Sequence, residues 1–412
     1  MLIPRNSHKI VFLIRSLELG GAERVFTTYV NNVRKIKPIV LLHRPVIAPQ
    51  NHLKPYIYCS EILKPSHPWK LFKREKRFCD ASRNGGNINF INLALSRLPI
   101  IERLFEAYQI RKVAYQMNCR VVSSFMLKSN RVAIFTKLFF APQLRVVLNV
   151  HESMSQHLKY DYICPLERGL HAWLSRLIFL KADLIIAVAE GVKHDIVSNF
   201  GADPNKIVVI PNPIDLQLIR QKAQEPIEEE FLNQSGESLI VAVGRLVRLK
   251  GFDLLIKAFS MLPSHIQTQL IIIGDGEEYL RLKNLIGLLG LQGRVHLLGG
   301  KENPWKYMAR SDIVVLSSLT EAFPNVIGEA FALEKPVLAT ECSPGIRDYL
   351  NEGESGLLVE SGNITALTNG LRLMLTDKSL CIKMAKRGAE QVKAYDVSTI
   401  VEKYEKVLAQ II

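Results

Sequence analysis

The sequence predicts an α/β protein with two doubly wound domains, each a parallel sheet with helices on both faces. Its 412 residues exceed what one hydrophobic core usually organises. Short runs rich in Val, Ile and Leu alternate with helical patterns in two successive series. Pro211-Asn212-Pro213 and a polar, acidic stretch separate the two series. We therefore predict domains at 1–215 and 237–395, a linker at 216–236, and a final helix at 396–412.

Each series starts with a strand that passes through a glycine-containing loop into a helix. The predicted strands of the first series are 9–16, 39–43, 57–62, 120–124, 145–150, 184–188 and 207–210. Those of the second are 239–243, 270–273, 295–298, 313–316, 336–339 and 356–359. The last two helical patterns, 361–395 and 397–410, are separated by a break near Tyr395-Asp396. Ligands of such sheets bind beyond the carboxyl ends of the strands, so the candidate residues are sought there.

The charge of the chain is unevenly distributed. The net charge is +14, made up of +18 over residues 1–222 and −4 over residues 223–412. A basic half predicts an anionic partner, such as a phosphorylated ligand, a nucleic acid or an anionic lipid surface. Between 64 and 97 the strand and helix patterns fail, and a basic cluster (Lys70, Lys73, Arg74, Lys76, Arg77) lies beside Trp69, Leu71 and Phe72. That stretch is either a segment resting on an anionic membrane or a solvated surface loop.

Cysteine usage and hydropathy bear on the cell compartment. The six cysteines are scattered and include no Cys-x-x-Cys pair. Scattered cysteines predict reduced thiols in a cytoplasmic protein. No window of about 18 uncharged apolar residues occurs, so we predict no membrane span. The short apolar run at 10–14 ends at Arg15 and is typical of a first strand, not of a signal peptide.

The stretch from Glu321 to Glu329 carries the first candidate site. It joins a predicted strand to a helix, and Pro324 suits the first helical turn. The N–H groups of Asn325, Val326 and Ile327 would then face an anion such as a diphosphate. A carboxylate precedes the helix and another lies within it, and carboxylates accept hydrogen bonds from ligand hydroxyls. A sugar nucleotide offers both groups, whereas the alternative is an acidic loop before an ordinary amphipathic helix.

A basic loop forms the second candidate site. Gly244 to Gly251 places Arg245, Arg248 and Lys250 between a predicted strand and a helix. Arg offers a fork for phosphate oxygens and Lys a compact charge, so the loop predicts an anion site rather than a solvated basic loop. The turn Gly274-Asp275-Gly276 after the next strand is by itself only a weak signal.

Two features of the first half also follow strands. Gly20-Gly21 stands between a strand and a helix, where glycine allows a ligand to approach the backbone closely. His151 directly follows the strand at 145–150 and is able to hold a substrate hydroxyl or accept its proton. The alternatives are a tight turn without a ligand and a structural histidine. Both features could share one edge of the predicted sheet.

The motifs together resemble those of the retaining glycosyltransferases of family 4. The pattern Gly-Arg-Leu-x-x-x-Lys-Gly-x-Asp at 244–253 is followed by Gly-Asp-Gly at 274–276. Glu-x7-Glu at 321 and 329 and Glu-Ser-Gly-Leu-Leu-Val at 354–359 complete the order. The match spans nearly the whole chain and is densest from about 207 to 395. Gly-Gly-Ala-Glu-Arg-Val at 20–25 resembles a subgroup that builds surface polysaccharides and lipid-linked oligosaccharides.

The resemblance implies a fold and a set of residue roles. The fold is GT-B, with two Rossmann-like domains facing a cleft and a last helix that crosses back to the first domain. Arg245 and Lys250 are implied to bind the donor diphosphate, and Glu329 the nucleotide ribose. Glu321 and His151 are the implied catalytic residues, with Glu321 near the donor sugar. The remaining implied contacts with donor or reacting centre are Gly20, Gly21, His296, Leu297, Phe323, Pro324, Asn325 and Val326.

The resemblance also implies the chemistry. A sugar, most commonly from UDP, passes with retention to a glycan or polyprenyl-pyrophosphate-linked acceptor, through front-face attack. No Asp-x-Asp motif is present, and the basic loop can replace a metal, so neither a metal nor a cofactor other than the donor substrate is expected. Peripheral attachment to the inner face of the cytoplasmic membrane is expected, and nucleic acid is not an expected partner. The alternatives are a UDP-sugar epimerase on this fold and a non-catalytic module that binds polysaccharide or membrane.

Two positions depart from the family pattern. Ala322 replaces a glycine common after the first glutamate, and Gly328 replaces a bulkier residue before the second. Either change is expected to reshape the sugar pocket, so the pattern does not identify the sugar.

Overall fold

The computed structural model of the protein describes residues 8–17, 20–43, 58–61, 99–162, 164–229, 237–343 and 345–412. The basic stretch at 64–97 lies outside these residues. The described chain divides into two compact units. The first comprises Met1–Ala187, Lys193–Ile210 and Val401–Ile412, and the second comprises Val188–Val192 and Pro211–Ile400.

The first unit is built on a seven-stranded parallel sheet with the strand order β3-β2-β1-β4-β5-β6-β7. The strands are β1 His8–Ile14, β2 Ile36–Leu42, β3 Tyr58–Glu61, β4 Val121–Phe125, β5 Arg145–Val150, β6 Leu184–Ala187 and β7 Ile207–Val209. The helices are α1 Gly21–Asn32, α2 Pro99–Gln116, α3 Leu127–Phe139, α4 Met154–Asp161, α5 Pro165–Lys181 and α6 Glu190–Phe200. Most residues of β1, β5 and β6 are apolar and buried, as is typical of a parallel sheet covered on both faces.

The second unit has a six-stranded parallel sheet in the order β10-β9-β8-β11-β12-β13. Its strands are β8 Ser238–Val243, β9 Thr268–Ile273, β10 Val295–Leu297, β11 Ile313–Leu316, β12 Val337–Thr340 and β13 Leu357–Val359. Its helices are α7 Leu216–Lys222, α8 Phe252–Ser260, α9 Tyr279–Leu288, α10 Trp305–Met308, α11 Asn325–Ala332, α12 Gly345–Tyr349, α13 Ile364–Thr376 and α14 Lys378–Gln391. Two apolar clusters cover the two faces of this sheet. The predicted doubly wound fold is confirmed.

The last helix, α15 Val397–Ala409, contributes its carboxyl-terminal half to the first unit. The Tyr404 ring is buried and stacks on Tyr29 with ring centroids 4.2 Å apart. Its hydroxyl lies 2.8 Å from the Ser123 hydroxyl of β4. The Glu405 carboxylate accepts the backbone N–H groups of Arg34 and Lys35 at 2.6 Å and 2.5 Å. The predicted return of the last helix to the first half of the chain is therefore confirmed.

Three predicted elements need correction. The predicted linker at 216–236 contains α7, whose Ile219 is buried, so at least this part is a piece of the second unit. No helix was predicted between the strands β4 and β5, where α3 stands. The single helical tail at 361–395 is two helices, because the Asp377 side chain accepts the Leu380 N–H at 2.9 Å and caps a new start. Among the described residues no helix has both the length and the hydropathy of a membrane span.

Candidate active site

The strand order of the second sheet reverses between β8 and β11, which lie side by side. The loops that follow these two strands, 244–251 and 317–324, leave the same edge of the sheet. Ligands of open parallel sheets bind at such a switch point, outside the carboxyl ends of the strands. Both loops that carry the densest motifs of the sequence therefore stand at the expected ligand position.

The basic loop is held in place by the Gly274-Asp275-Gly276 turn. The Leu246 N–H donates to the Asp275 carbonyl at 2.8 Å, and the Leu246 carbonyl accepts the Glu278 N–H at 2.9 Å. A Cβ on Gly274, whose φ is +154°, would lie 1.8 Å from the Gly244 carbonyl oxygen. Only glycine permits this approach of two backbones. The turn, a weak signal in the sequence, is thus the support on which the Arg245–Lys250 loop rests.

The basic loop is also joined to the loop after β11. The Leu319 N–H donates to the Leu249 carbonyl at 2.8 Å, and the Ser317 hydroxyl donates to the Lys250 carbonyl at 2.9 Å. Gly251 has φ +62°, and a Cβ there would lie 2.2 Å from the Ser317 carbonyl oxygen. These contacts fix the backbone beneath Lys250, so its side chain starts from a rigid position.

Lys250 and Glu321 form an ion pair at the switch point. The Lys250 ammonium donates to the Glu321 carboxylate, which also accepts the Ser318 hydroxyl at 2.7 Å. The side chains are 24% and 14% exposed, so the pair is sheltered but reachable. Burial raises the pKa of the Cys342 thiol, and the nearby Glu321 charge raises it further by a smaller amount. The sequence predicted both residues for the site but did not predict that they contact each other.

The start of α11 differs in detail from the prediction. Pro324 immediately precedes the helix instead of lying in its first turn. The Ile327 N–H donates to the Pro324 carbonyl at 3.1 Å, so it does not face an anion as predicted. The predicted phosphate contact therefore concerns the N–H groups of Asn325 and Val326. The Asn325 side chain accepts the Asn212 amide at 2.8 Å, which fixes this end of the helix.

Gly328 faces the core of the second unit. A Cβ on Gly328 would lie 2.4 Å from the Tyr349 hydroxyl and 2.9 Å from Ile214. The Tyr349 ring also stacks on Phe323, with centroids 4.5 Å apart. The expectation that Gly328 reshapes a sugar pocket is therefore wrong, because its missing side chain makes room for buried tyrosine. Burial, the neighbouring Tyr395 and the Glu329 charge raise the pKa of Tyr349, and Glu329 is itself only 6% exposed.

The remaining predicted donor contacts lie along the same edge of the sheet. Arg245 is exposed in the basic loop. His296 and Leu297 belong to β10 and line a groove of about 940 Å³ with residues of α9. Burial lowers the pKa of His296. In the sheet, β10 lies two strands from β8, which is about 10 Å at the usual strand spacing.

In the first unit, His151 and the start of α1 approach one aromatic ring. The His151 ring stacks on Phe125 with centroids 5.5 Å apart, and Phe26 of α1 meets Phe125 edge-on at 4.9 Å. Both features therefore stand at the same rim, as the sequence suggested. Gly20 precedes α1, and a Cβ there would lie 2.0 Å from the Glu23 carboxylate. A carboxylate thus covers the position where an anion was expected.

Comparison with known proteins identifies the family. The family models for glycosyl transferases group 1 and for Glycosyltransferase Family 4 match residues 223–391 and 65–218. A Campylobacter jejuni protein is 30% identical over 392 residues, which cover 94% of this chain and 96% of the relative. It is named N-acetylgalactosamine-N,N'-diacetylbacillosaminyl-diphospho-undecaprenol 4-alpha-N-acetylgalactosaminyltransferase. This chain belongs to glycosyltransferase family 4.

Solved structures agree on the fold of this family 4 glycosyltransferase. The crystal structure of Anabaena Alr3699/HepE in complex with UDP aligns with a TM-score of 0.74 and 21% identity, covering 98% of this chain and all of that one. The lipopolysaccharide glycosyltransferase WaaG aligns with a TM-score of 0.70 and 16% identity, over 97% and 99% of the two chains. The GT-B fold is confirmed. The protein is a retaining glycosyltransferase that uses a nucleotide sugar, and members of its family typically act without a metal ion.

Proposed function

We propose that this glycosyltransferase takes its sugar from a UDP-sugar and transfers it to a glycan carried on a polyprenyl diphosphate, during the synthesis of a cell-surface polysaccharide. Two comparisons support the proposal. The Campylobacter jejuni relative is named for a diphospho-undecaprenol acceptor. The Anabaena protein of the same fold was crystallised with UDP.

The observation that carries the donor assignment is the Lys250–Glu321 pair at the switch point of the second sheet. A departing nucleoside diphosphate gains negative charge, and preorganised cations stabilise that charge most strongly in a sheltered site. We assign this role to Lys250, with Arg245 and the Asn325 and Val326 N–H groups as further diphosphate contacts. Glu321 holds the ammonium on one oxygen, which leaves its other oxygen for a hydroxyl of the donor sugar.

The rest of the nucleotide follows the edge of the sheet. We assign the ribose hydroxyls to Glu329, which lies in the same helix as the phosphate contacts. The base is assigned to the backbone near His296 and Leu297, about two strand spacings from β8. A diphosphate at β8 and a base at β10 agree with the extended length of a nucleoside diphosphate. Gly20, Gly21 and His151 are assigned to the acceptor and the reacting centre.

We place the enzyme peripherally at an anionic membrane surface, on the inner face of the cytoplasmic membrane. Helix α5 supports this with a stripe of exposed apolar side chains, Leu166, Leu170, Trp173 and Leu180, which are 51–86% exposed. Their spacing puts them on one face of the helix. Exposed Arg176 and Lys181 flank the stripe, and residues 1–222 carry a charge of +18. An apolar helix face bordered by cations is typical of helices that lie in a bilayer interface.

The donor assignment is tested by hydrolysis of a panel of UDP- and GDP-sugars without acceptor. Release of UDP from one UDP-sugar, lost in Lys250→Met and retained in Lys257→Met, is the expected result. Lys257 is a matched control because it is a half-exposed lysine of the neighbouring helix α8. Turnover of a GDP-sugar alone would overturn the UDP assignment, and normal turnover by Lys250→Met would overturn the role of Lys250.

The membrane assignment is tested by sedimentation with phosphatidylglycerol vesicles at low and high salt. We expect binding that Trp173→Glu weakens at least about tenfold and that salt reduces. Exposed Leu288 of α9 provides a control, because Leu288→Glu adds the same charge in the second unit. Equal loss in both variants, or binding that ignores both salt and Trp173→Glu, would contradict the assignment.

A further inference from the structure

A cluster of cationic and aromatic side chains stands at the rim of the first sheet, outside the donor site. It consists of Arg103 of α2, Arg131 of α3, His157 of α4, Tyr162, and His171 of α5, and is called the rim cluster here. These residues come from separate elements and belong to none of the motifs that the sequence offered.

The Tyr162 ring contacts two other members of the rim cluster, and Arg103 acts on Arg131 and His171 through its charge. The Tyr162 hydroxyl lies close enough to Arg131 to raise the pKa of the guanidinium, against the effect of burial. The Tyr162 ring stacks on His171 with centroids 4.0 Å apart and meets His157 edge-on at 6.3 Å. The His157 Nδ1 lies 3.4 Å from a Glu152 carboxylate oxygen. Burial and, to a smaller extent, the Arg131 charge lower the pKa of His171, whereas the Glu167 charge raises it.

Arg131 has donors that its neighbours do not satisfy. Its Nε and one terminal nitrogen are shielded from water and have no hydrogen-bond acceptor within the part of the chain that the structure describes. Burial lowers the pKa of this guanidinium, while Tyr162 and Glu152 act in the opposite direction. The Glu152 carboxylate, whose charge acts on Arg131, is already in contact with His157. Buried unsatisfied donors destabilise a fold, so such a group in a native protein calls for an acceptor from outside.

The surrounding helices reinforce the positive potential. Helices α2 and α5 lead into β4 and β6, and α3 follows β4, so all three begin at the carboxyl edge of the parallel sheet. The amino end of each helix carries a partial positive charge. Arg131 lies in the second turn of α3, and Arg103 in the second turn of α2, close to these ends. Cations, helix amino ends and unsatisfied N–H groups together favour a multivalent oxyanion.

We propose that the rim cluster binds the diphosphate group of the acceptor, with Arg131 as the central ligand. The inference rests on the proposed function, which supplies a diphosphate-bearing acceptor. A diphosphate gives the Arg131 fork two neighbouring oxygens, which matches the bidentate geometry of guanidinium. His171 shares α5 with the apolar stripe that begins at Leu166, so a prenyl chain attached to the diphosphate has an apolar surface on the same helix.

The test measures binding of farnesyl diphosphate by calorimetry in the presence of saturating UDP, which occupies the donor site. Arg131→Met is expected to weaken farnesyl diphosphate binding about tenfold or more, and Arg131→Lys to weaken it less. Arg111→Met serves as the matched control, because Arg111 is an exposed arginine of α2. Inorganic pyrophosphate is expected to bind at the same residues more weakly, since it has no prenyl chain.

Several outcomes decide the proposal. Equal affinity in wild type and Arg131→Met, or equal loss in Arg111→Met, overturns it. Should Arg131→Met prove unfolded by circular dichroism, Tyr162→Phe and His171→Gln replace it, and unchanged affinity in both overturns the cluster as a site. Sedimentation of Arg131→Met with phosphatidylglycerol vesicles should stay at the wild-type level; a parallel loss would make the cluster a lipid-surface contact instead. If the protein binds farnesyl diphosphate through Arg131 but hydrolyses no UDP-sugar, this inference stands and the proposed UDP-sugar donor is refuted.

Discussion

The carboxyl edges of the two sheets are built in opposite ways. At the edge of the second sheet, backbone hydrogen bonds and glycines hold three loops together, and the ion pair of Lys250 and Glu321 stands on that frame. At the edge of the first sheet, rings and cations from five separate elements meet, and Phe125 and Tyr162 are the points of contact. Loops that are joined through their backbones need glycines at fixed positions, so they are visible in the sequence as a spaced motif. Side chains that meet from separate elements have no fixed spacing, so they form no motif.

The largest effect is expected from removing the Lys250 cation at the carboxyl edge of the second sheet. Lys250→Met should lower kcat/KM for the donor by about 10²–10³-fold, because a preorganised charge is lost where negative charge develops. Steady-state kinetics with a UDP-sugar measure it, and Lys257→Met should stay within about threefold. Rates near wild type would mean that the frame of loops does not serve the donor diphosphate.

The second prediction concerns the partner of that cation. Glu321→Gln keeps a side chain that accepts bonds from Lys250 and Ser318, but it removes the charge. We expect kcat to fall about 10–10²-fold with little change in KM, since the interaction is used mainly in the transition state. A change confined to KM would assign Glu321 to ground-state binding of the sugar.

The third prediction tests the backbone frame itself. Gly274→Ala introduces a Cβ 1.8 Å from the Gly244 carbonyl and a strained φ, so it should destabilise the protein by about 1–3 kcal/mol or more and weaken UDP binding. Urea unfolding and UDP titration measure the two effects. In Gly287→Ala, where no close contact arises, stability should be unchanged or slightly raised. Equal effects in both variants would mean that the Gly274-Asp275-Gly276 turn does not support the basic loop.

The fourth prediction separates core packing from sugar selection. Gly328→Ala should destabilise the protein by about 1–3 kcal/mol, because the new methyl group meets the Tyr349 hydroxyl and Ile214. Adding Tyr349→Phe should recover part of that loss, since it removes the closest atom. The order of preference among donor sugars should stay the same. An altered order would mean that Gly328 does line the sugar pocket.

The smallest effect is expected from a substitution in the last helix, α15, at a residue that packs in the first unit. Tyr404→Phe removes the contact with the Ser123 hydroxyl and should destabilise the protein by about 1 kcal/mol. UDP affinity should not change, because the contacts of Tyr404 lie in the first unit. A matching loss of UDP affinity would mean that the two edges are coupled through this helix.

The residues of the proposed donor site could be selected from the sequence. Arg245, Lys250, Glu321 and Glu329 stand in loops and helix turns that follow strands, where the doubly wound pattern alone directs attention. The pairing of Lys250 with Glu321 could not be predicted, because the two are 71 positions apart and meet only through the adjacency of β8 and β11. The first turn of α11 was predicted one residue early, since proline is tolerated both before and within a helix start.

The sequence by itself determined the two doubly wound units, the edge at which we propose that the donor binds, and the family. Each of these depends on local periodicity and on short, spaced motifs, both of which can be recognised in the sequence without the fold. Only the tertiary structure decided that Gly328 makes room for Tyr349, that Glu23 covers Gly20, and that Tyr162 stacks on His171 near Arg131. Such contacts depend on which strands become neighbours in the sheet, and spacing along the chain does not encode that order.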